Sequence, residues 1–525
     1  MIASLFLAVT IVAHEPGYFT SLAKHLHRWL GNEQIAARVV TPKEMDSALA
    51  QERIAFLVGF ESPTKAEIAT LKNYRARGGK LVIFHSASPA LAALMGVKCL
   101  GYRAAPYPGA WSRMDFSPQL LTGAPRSIRQ TSTVLQRAQP LPGRGKILAT
   151  WTDRAGKPSG EPAWIMTDAG FWMSHVLLAD GDEDLKAQLV AAMTAKADPK
   201  LWSVVSHNAR VEGRHQQLRA IALKQTPCKG EIHAVWDHSG CGLYPGNWAR
   251  TMHILREARV TDLFVNVAGA GFAHYPSDIL PRSKIYRDEG DQLSQCLAAA
   301  KGTGIRVHAW LLAFSATRGT PATLTDFGKR GWRLKSASGH LSEYLDPSNP
   351  SVRAYVLAAI GEIATKYSVD GIHLDFVRWG DGFANGPNAS QVISQFVADA
   401  RRVVKRPQWL TTAVYGKYPQ CVASVGQDWE QWLNLNLVDY VVPMDYTDSN
   451  LIFAGLVGRQ GALSTHAKRT IAGIGVTANE SRLDAADVIS QINLARKFKL
   501  AGVALFDLDV TLEKTIFPYL KLGIW

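Results

Sequence analysis

Residues 369–380 read VDGIHLDFVRWG: a short apolar run that ends in an acid, Asp375, followed by a guanidinium, Arg378, and an indole, Trp379. A carboxyl at the end of a buried strand is placed for acid–base or nucleophilic work. Burial raises its pKa and an adjacent guanidinium lowers it, so its protonation state can be set by the surroundings. Alternate residues of a strand share a face, so His373, Asp375 and Val377 are expected to point together, with Ile372 and Leu374 packed the other way. The plainer reading is an Asp375–Arg378 ion pair that holds a loop and nothing more.

Other apolar runs end in similar company. One closes on Trp236, Asp237 and His238, and a second on Asn266, leading to His274 and Tyr275. A third carries His308 and Trp310, two apart and so on one face. Later runs end at Tyr415, at Asp445, Tyr446 and Asp448, and at Phe506, Asp507 and Asp509. Each aromatic alone reads as core. Together with carboxylates at the same strand ends they suggest a sugar groove, where rings stack on pyranose faces and polar groups bond the hydroxyls. Glycosidic cleavage uses two carboxyl groups, one donating a proton to the leaving oxygen and one attacking or activating water. Asp375 is the first candidate. Asp445 and Asp448 are the candidates for its partner, with Asp237 and Asp507 in reserve. If Met444 and Tyr446 face inward, Asp445 faces outward unless the strand has already turned into its loop, an objection that Asp448 avoids. Trp236, Asp237, Asn266, His308, Trp310, His373, Arg378, Tyr415, Tyr446 and Asp507 are the expected substrate contacts.

The elements that would hold these residues fall into two rhythms. Before residue 200, VTIVAH, AFLVGF and KLVIFHS alternate with helix-like segments such as FTSLAKHLHRWLG, which indicates a parallel sheet covered by helices. AWIMTDAGFWMSHVLL and DEDLKAQLVAAMTAKA complete that domain as strands and a helix. After residue 228, eight apolar runs (EIHAVW, DLFVNV, IRVHAWLLAF, VDGIHLD, WLTTAVY, DYVVPMDY, RTIAGIGV and AGVALFDL) alternate with amphipathic stretches. Eight such repeats fit a (β/α)8 barrel, whose chemistry sits at the carboxyl ends of its strands. The expected organisation is an α/β domain over residues 1–200, a helical linker over 201–227 and a barrel over 228–525.

Bulk properties narrow the class. The chain has 525 residues, 47% hydrophobic and 19% charged, as soluble globular proteins do. No run of about 20 apolar residues suggests stable membrane insertion. The apolar start MIASLFLAVTIVAHEPGYF lacks a basic leader and reads as a first strand and loop rather than a signal peptide. The net charge of +14 is concentrated early: residues 1–227 carry 27 Lys+Arg against 17 Asp+Glu, and residues 228–525 carry 31 against 27. No basic run interleaved with aromatics points to nucleic acid. Cys99, Cys228, Cys241, Cys296 and Cys421 form no C-x-x-C pair, which argues against a disulfide framework and a zinc site. No metal-ligand pattern accompanies His373 and Asp375, so no metal or cofactor is expected.

FAHYPSDILP, RVHAWLLAF, the stretch from YLDPSNPSVRAYV to VDGIHLDFVRW, and QDWEQWLNLNLVDYVVPMDY occur in that order. Over about residues 230–510 this resembles the glycosyl-hydrolase-like family 10 barrels. It is more distantly similar to the hydrolase barrel of poly-β-1,6-glucosamine-processing proteins. The resemblance implies a (β/α)8 glycoside hydrolase, exported to the periplasm or secreted, with the catalytic acid of the fourth strand at Asp375. Phe376 stands where the family often has a second acid. Asp448 stands near the place of a glutamate in the glucosamine-polymer enzymes. The motif is also similar to the DGIDLDxE of family 18 chitinases, whose catalytic glutamate falls at Val377 here. YRARGGKLVIFHSASPAL resembles a flavodoxin-like, amidotransferase-like domain, but no cysteine stands at its elbow, so His85 and Ser86 are expected to be structural or ligand-contacting. A carbohydrate substrate and a homo-oligomer formed through this domain are the expected partners. The competing expectation is a glycan-binding protein on a degenerate barrel.

Overall fold

A computed structural model describes residues 9–525 apart from 15, 16, 51, 108, 180, 181, 337, 384, 387, 464 and 465. The signal-peptide question raised by the apolar start therefore lies partly outside the described residues. The chain divides into two compact units, Met1–His215 and Gln216–Trp525.

The first unit is built on a nine-stranded sheet. Its strands Ala37–Val40, Val9–Ala13, Ile54–Val58, Lys80–Phe84 and Gly170–Met173 run parallel in that order. The buried runs VTIVA and IAFLV carry the continuous apolar character of strands covered on both faces. The sheet then continues antiparallel through Pro158–Thr167, Gly145–Thr152, Trp111–Phe116 and Ser127–Ser132, so it is mixed rather than parallel throughout. The two outermost of these, Trp111–Phe116 and Ser127–Ser132, mix buried and half-exposed positions and so lack the apolar runs that mark the parallel half. DEDLKAQLVAAMTAKA forms the helix Glu183–Ala197.

The second unit closes eight parallel strands into a barrel: β1 Ile232–Asp237, β2 Asp262–Gly269, β3 Arg306–Leu312, β4 Gly371–Asp375, β5 Trp409–Tyr415, β6 Tyr440–Met444, β7 Ile471–Gly475 and β8 Gly502–Phe506. Pairing of β1 with both β2 and β8 shuts the ring. Each strand turns one set of residues to a large core shared with the helices, Ile372 and Leu374 of β4 among them. The other set fills the lumen, where Ile232, Trp236, Phe264, Trp310, Val442 and Ala504 form a separate apolar cluster. Gly473 of β7 makes room for the Trp236 indole, since a Cβ there would lie 3.0 Å from the ring and 2.4 Å from the Pro443 carbonyl.

The helix Pro350–Lys366 delivers the chain to β4. Asn349 caps it by accepting from the Ser351 N–H at 2.9 Å, and Pro350 opens it where no N–H is needed. Its Val352, Val356, Ile360 and Ile363 are fully buried. Burial of side chains of this size contributes about 1.5–3 kcal/mol each, so this face fixes the height at which β4 ends. Among the described residues no helix is long and apolar enough to cross a membrane.

Candidate active site

β4 ends at Asp375, and Phe376 turns the chain sharply with φ of 51°. That turn carries the Phe376 N–H to Asp375 Oδ1 at 2.6 Å and brings Arg378 Nη1 to the same oxygen at 3.4 Å. The Trp310 indole N–H also reaches this carboxyl and favours its ionised form. Burial holds the carboxyl above its usual range, against the Arg378 charge and the Phe376 N–H, which favour ionisation. The Arg378 guanidinium lies between the Phe376 ring at 4.0 Å and the Tyr415 ring at 4.8 Å. Its Nη2 donates to Asp381 Oδ2 at 3.3 Å, and the Tyr415 hydroxyl donates to Asp381 Oδ1. Asp375, Arg378, Asp381 and Tyr415 thus form one charged network. Because the chain turns at Phe376, Val377 joins the outer core instead of sharing the face of His373 and Asp375.

The lumen beneath is a fixed aromatic floor. Trp236 Nε1 donates to His373 Nε2 at 2.9 Å, and His373 Nδ1 meets Thr411 Oγ1 at 2.8 Å. Phe264 stacks on the His373 ring at 4.1 Å. His373 is fully enclosed, and burial keeps it neutral by lowering its pKa. Above the floor, Tyr446 stacks with Phe506 at 5.3 Å, and His238 meets both Trp310 and Phe506.

The Tyr446 hydroxyl senses both Asp375 and Asp507, which, after burial, push its pKa well up. Asp507 follows β8, and Thr477 Oγ1 donates to its Oδ1 at 2.9 Å. Burial and, after it, the charge of Asp509 push Asp507 up to about 7. Asp375, Trp310, Arg378, Tyr415, Tyr446 and Asp507 are therefore gathered around the upper lumen.

Five of the sequence candidates stand elsewhere. Asp445 is fully buried and takes both amide hydrogen bonds of Gln460, at 2.8 and 3.0 Å, from the helix Asn450–Ala462. It faces the helical shell, as strand alternation with Tyr446 requires. Asp448 is exposed on the loop after β6. Asp237 alternates with the lumen-facing Trp236 and binds its own loop through Ser239 Oγ and the N–H groups of Gly240 and Gly242. His308 pairs four residues before Asp375 in register, opposite Gly371, and bonds Asp262 at 2.8 Å near the amino ends of the strands. That carboxylate also takes two bonds from Arg306 and is held down to about 2 by His308 and Arg306 against burial. His308 is thus a fastening at the closed end rather than a substrate contact. His373 belongs to the floor for the same reason of depth.

Asn266 is fully buried with both amide atoms unpartnered among the described residues. The sequence reading passed over Asp381, Tyr344 and Arg318. Asp381 lies three residues after Arg378, a spacing that could have flagged it. Tyr344, which stacks against Phe376 at 6.0 Å, comes from the short strand Leu341–Leu345 between β3 and β4, and Arg318 from the loop after β3. Among the described residues no group of three or more His, Cys, Asp or Glu side chains is placed to hold a metal ion.

Comparison with known proteins places relatives on the barrel. A stretch of 141 residues is 28% identical to the glycosyl hydrolase DigH of Escherichia coli K12, covering 23% of this chain and 31% of that protein. The chain thus spans about a third of the length of the curated relatives it matches. Among solved structures, the glycoside hydrolase domain of PgaB (BpsB) from Bordetella bronchiseptica is 14% identical, with a TM-score of 0.45 over 56% of this chain and 99% of that one. The catalytic domain 2 of an Ostrinia furnacalis Group II chitinase is 13% identical, with a TM-score of 0.39 over 56% and 95%. Residues 247–411, from the first helix after β1 into β5, match the family described as glycosyl hydrolase-like 10, the family that the ordered sequence motifs resemble.

Proposed function

We propose that this chain is a glycoside hydrolase in which Asp375 and Asp507 are the working carboxyl groups. The observation that carries this reading is their shared electrostatic reach to Tyr446, with the two acids in different surroundings. Burial and the Asp509 charge push Asp507 up to about 7, so it can hold a proton for a leaving oxygen. Asp375 is oriented by the Phe376 N–H, Arg378 and the Trp310 indole, which suits a carboxylate that attacks the anomeric carbon or activates water. Trp310 and Tyr446 supply aromatic faces for a pyranose, and Arg378 and Tyr415 supply donors at the rim. Burial raises both carboxyls, but at Asp375 the Arg378 charge and the Phe376 N–H oppose it while at Asp507 the Asp509 charge adds to it, and unequal surroundings of this kind let two acids of one site take different roles.

Screening the full chain against a panel of poly- and oligosaccharides, with detection of new reducing ends, tests this reading. Asp375→Asn, nearly isosteric, is expected to abolish cleavage while leaving the fold intact. Full activity in that variant would remove Asp375 from the chemistry. A second reading, glycan binding without cleavage, is favoured by Phe376 at the place of a second acid and by Asp445 and Asp448 standing away from Asp375. Saturable glycan binding by the wild-type chain, with no new reducing ends on any bound glycan, would favour it.

A further inference from the structure

The charges around the barrel rim are unevenly matched. Arg378 has two carboxylates, and Arg306, at the other end of the strands, has Asp262. Arg318, in the loop after β3, has no carboxylate within 4.0 Å among the described residues. Its Nη1 donates to the His238 carbonyl at 3.2 Å, its Nη2 lies 3.3 Å from His274 Nε2, and its guanidinium covers the Phe272 ring at 4.5 Å. These contacts hold the group in place; Asp237, a carboxyl that burial pushes up and that is bonded to its own loop, acts on it through space without forming an ion pair with it. A buried polar group of this sector lacks partners: both amide atoms of Asn266 are without hydrogen bonds among the described residues, whereas the neighbouring Trp310 indole N–H reaches Asp375. Asn266 and Trp310 are register partners on β2 and β3. Gly240, at φ of 70°, brings the loop after β1 against them, and a Cβ there would lie 2.1 Å from the Asn266 carbonyl and 2.8 Å from the His274 ring.

Buried polar groups without partners are rare in folded proteins and mark places where a ligand or water completes the bonding. Here a fixed guanidinium and one unpartnered amide share the β1–β3 side of the rim, and a guanidinium fork matches a carboxylate or an ester sulfate. We propose that this sector is a subsite for a sugar residue that bears an anionic substituent, with Arg318 recognising the charge and the Asn266 amide donating to its oxygens. The inference rests on the glycoside hydrolase reading and adds the class of substrate: an acidic rather than a neutral glycan.

The test uses the full chain carrying Asp375→Asn, so that binding is read without turnover. Calorimetry compares oligosaccharides containing glucuronate or galacturonate with the same oligosaccharides after reduction of their carboxyls to alcohols, and with neutral oligosaccharides carrying ester sulfate. At least one acidic form is expected to bind tenfold or more tighter than its neutral counterpart, with the advantage shrinking as salt rises. Adding Arg318→Gln is expected to remove that advantage and leave neutral binding unchanged, while Arg318→Lys keeps part of it. A preference for the sulfated form alone identifies an ester sulfate as the source of charge. Equal binding within every pair overturns the proposal, as does an Arg318→Gln protein that melts with the parent and still prefers the acidic form. The hydrolase reading fails separately, through wild-type protein that binds these glycans and releases no reducing ends.

Discussion

Two strand ends in this molecule turn through the left-handed region on a residue other than glycine. In the first unit, Lys80–Phe84 is followed by His85 at φ of 43°; in the barrel, Asp375 is followed by Phe376 at 51°. Holding such a residue there costs about 1–3 kcal/mol and persists only where the surroundings fix it. At His85 the fixing is light: the imidazole meets Glu61 at 3.2 Å, and that glutamate is half exposed. At Phe376 the same distortion brings an N–H to a buried carboxylate and a ring beneath a buried guanidinium. The backbone deviation is similar and the setting is not. A strained strand end becomes a candidate for chemistry when its strain organises charge away from water.

The largest effect that separates the two ends is on cleavage. Asp375→Asn is expected to lower the rate by about 10³-fold or more, the upper range for loss of a positioned acid or base, whereas His85→Ala leaves it within about twofold; reducing-end assays on one substrate measure both. A large loss in His85→Ala would break the distinction. Next in size is Asp507. With its pKa raised to about 7, its proton is lost above that pH, so cleavage should fall on the alkaline side and Asp507→Asn should be nearly inactive. The same shift has a stability signature. Between about pH 4 and 7 the folded chain holds a proton that the unfolded chain has released, so stability declines as pH rises across that window, by at most about 1.4 kcal/mol per pH unit. Asp507→Asn should flatten that decline in denaturant titrations at several pH values.

Arg378→Met comes third. It leaves Asp375 buried without its guanidinium and should destabilise the barrel by about 3 kcal/mol at pH 8. Loss of the cation raises the carboxyl's pKa further, so the penalty should shrink toward pH 5 as the group takes up a proton; a pH-independent penalty would mean that packing, not charge, dominates. The smallest expected effect is at the first strand end. His85→Gly should stabilise the first unit by up to about 1 kcal/mol through relief of strain, read in chemical denaturation of the full chain.

How far the sequence carried these results depended on depth. The eight barrel strands are buried on both sides and read as apolar runs, so their order and the exit of Asp375 could be taken from residue types alone. The antiparallel half of the first sheet mixes buried and half-exposed positions across Trp111–Phe116 and Ser127–Ser132, and its pattern blends with loops. Strand alternation predicted the outward turn of Asp445 as an objection, and Gln460 answers it. His308 and Trp310 share a face, but only the register shows that one sits at the closed end and the other near the rim. Asp381 and Arg318 come from loops whose paths follow from tertiary packing, which no local spacing encodes.

The indole of Trp236, admitted by the missing side chain at Gly473, has a consequence for anything the barrel receives. Together with His373 and Phe264 it fills the ring below the acids, in place of a bore. A long polymer has to lie across the opening and dip one unit into it, so the bulk of a single residue, more than the length of the strand, governs what can be seated.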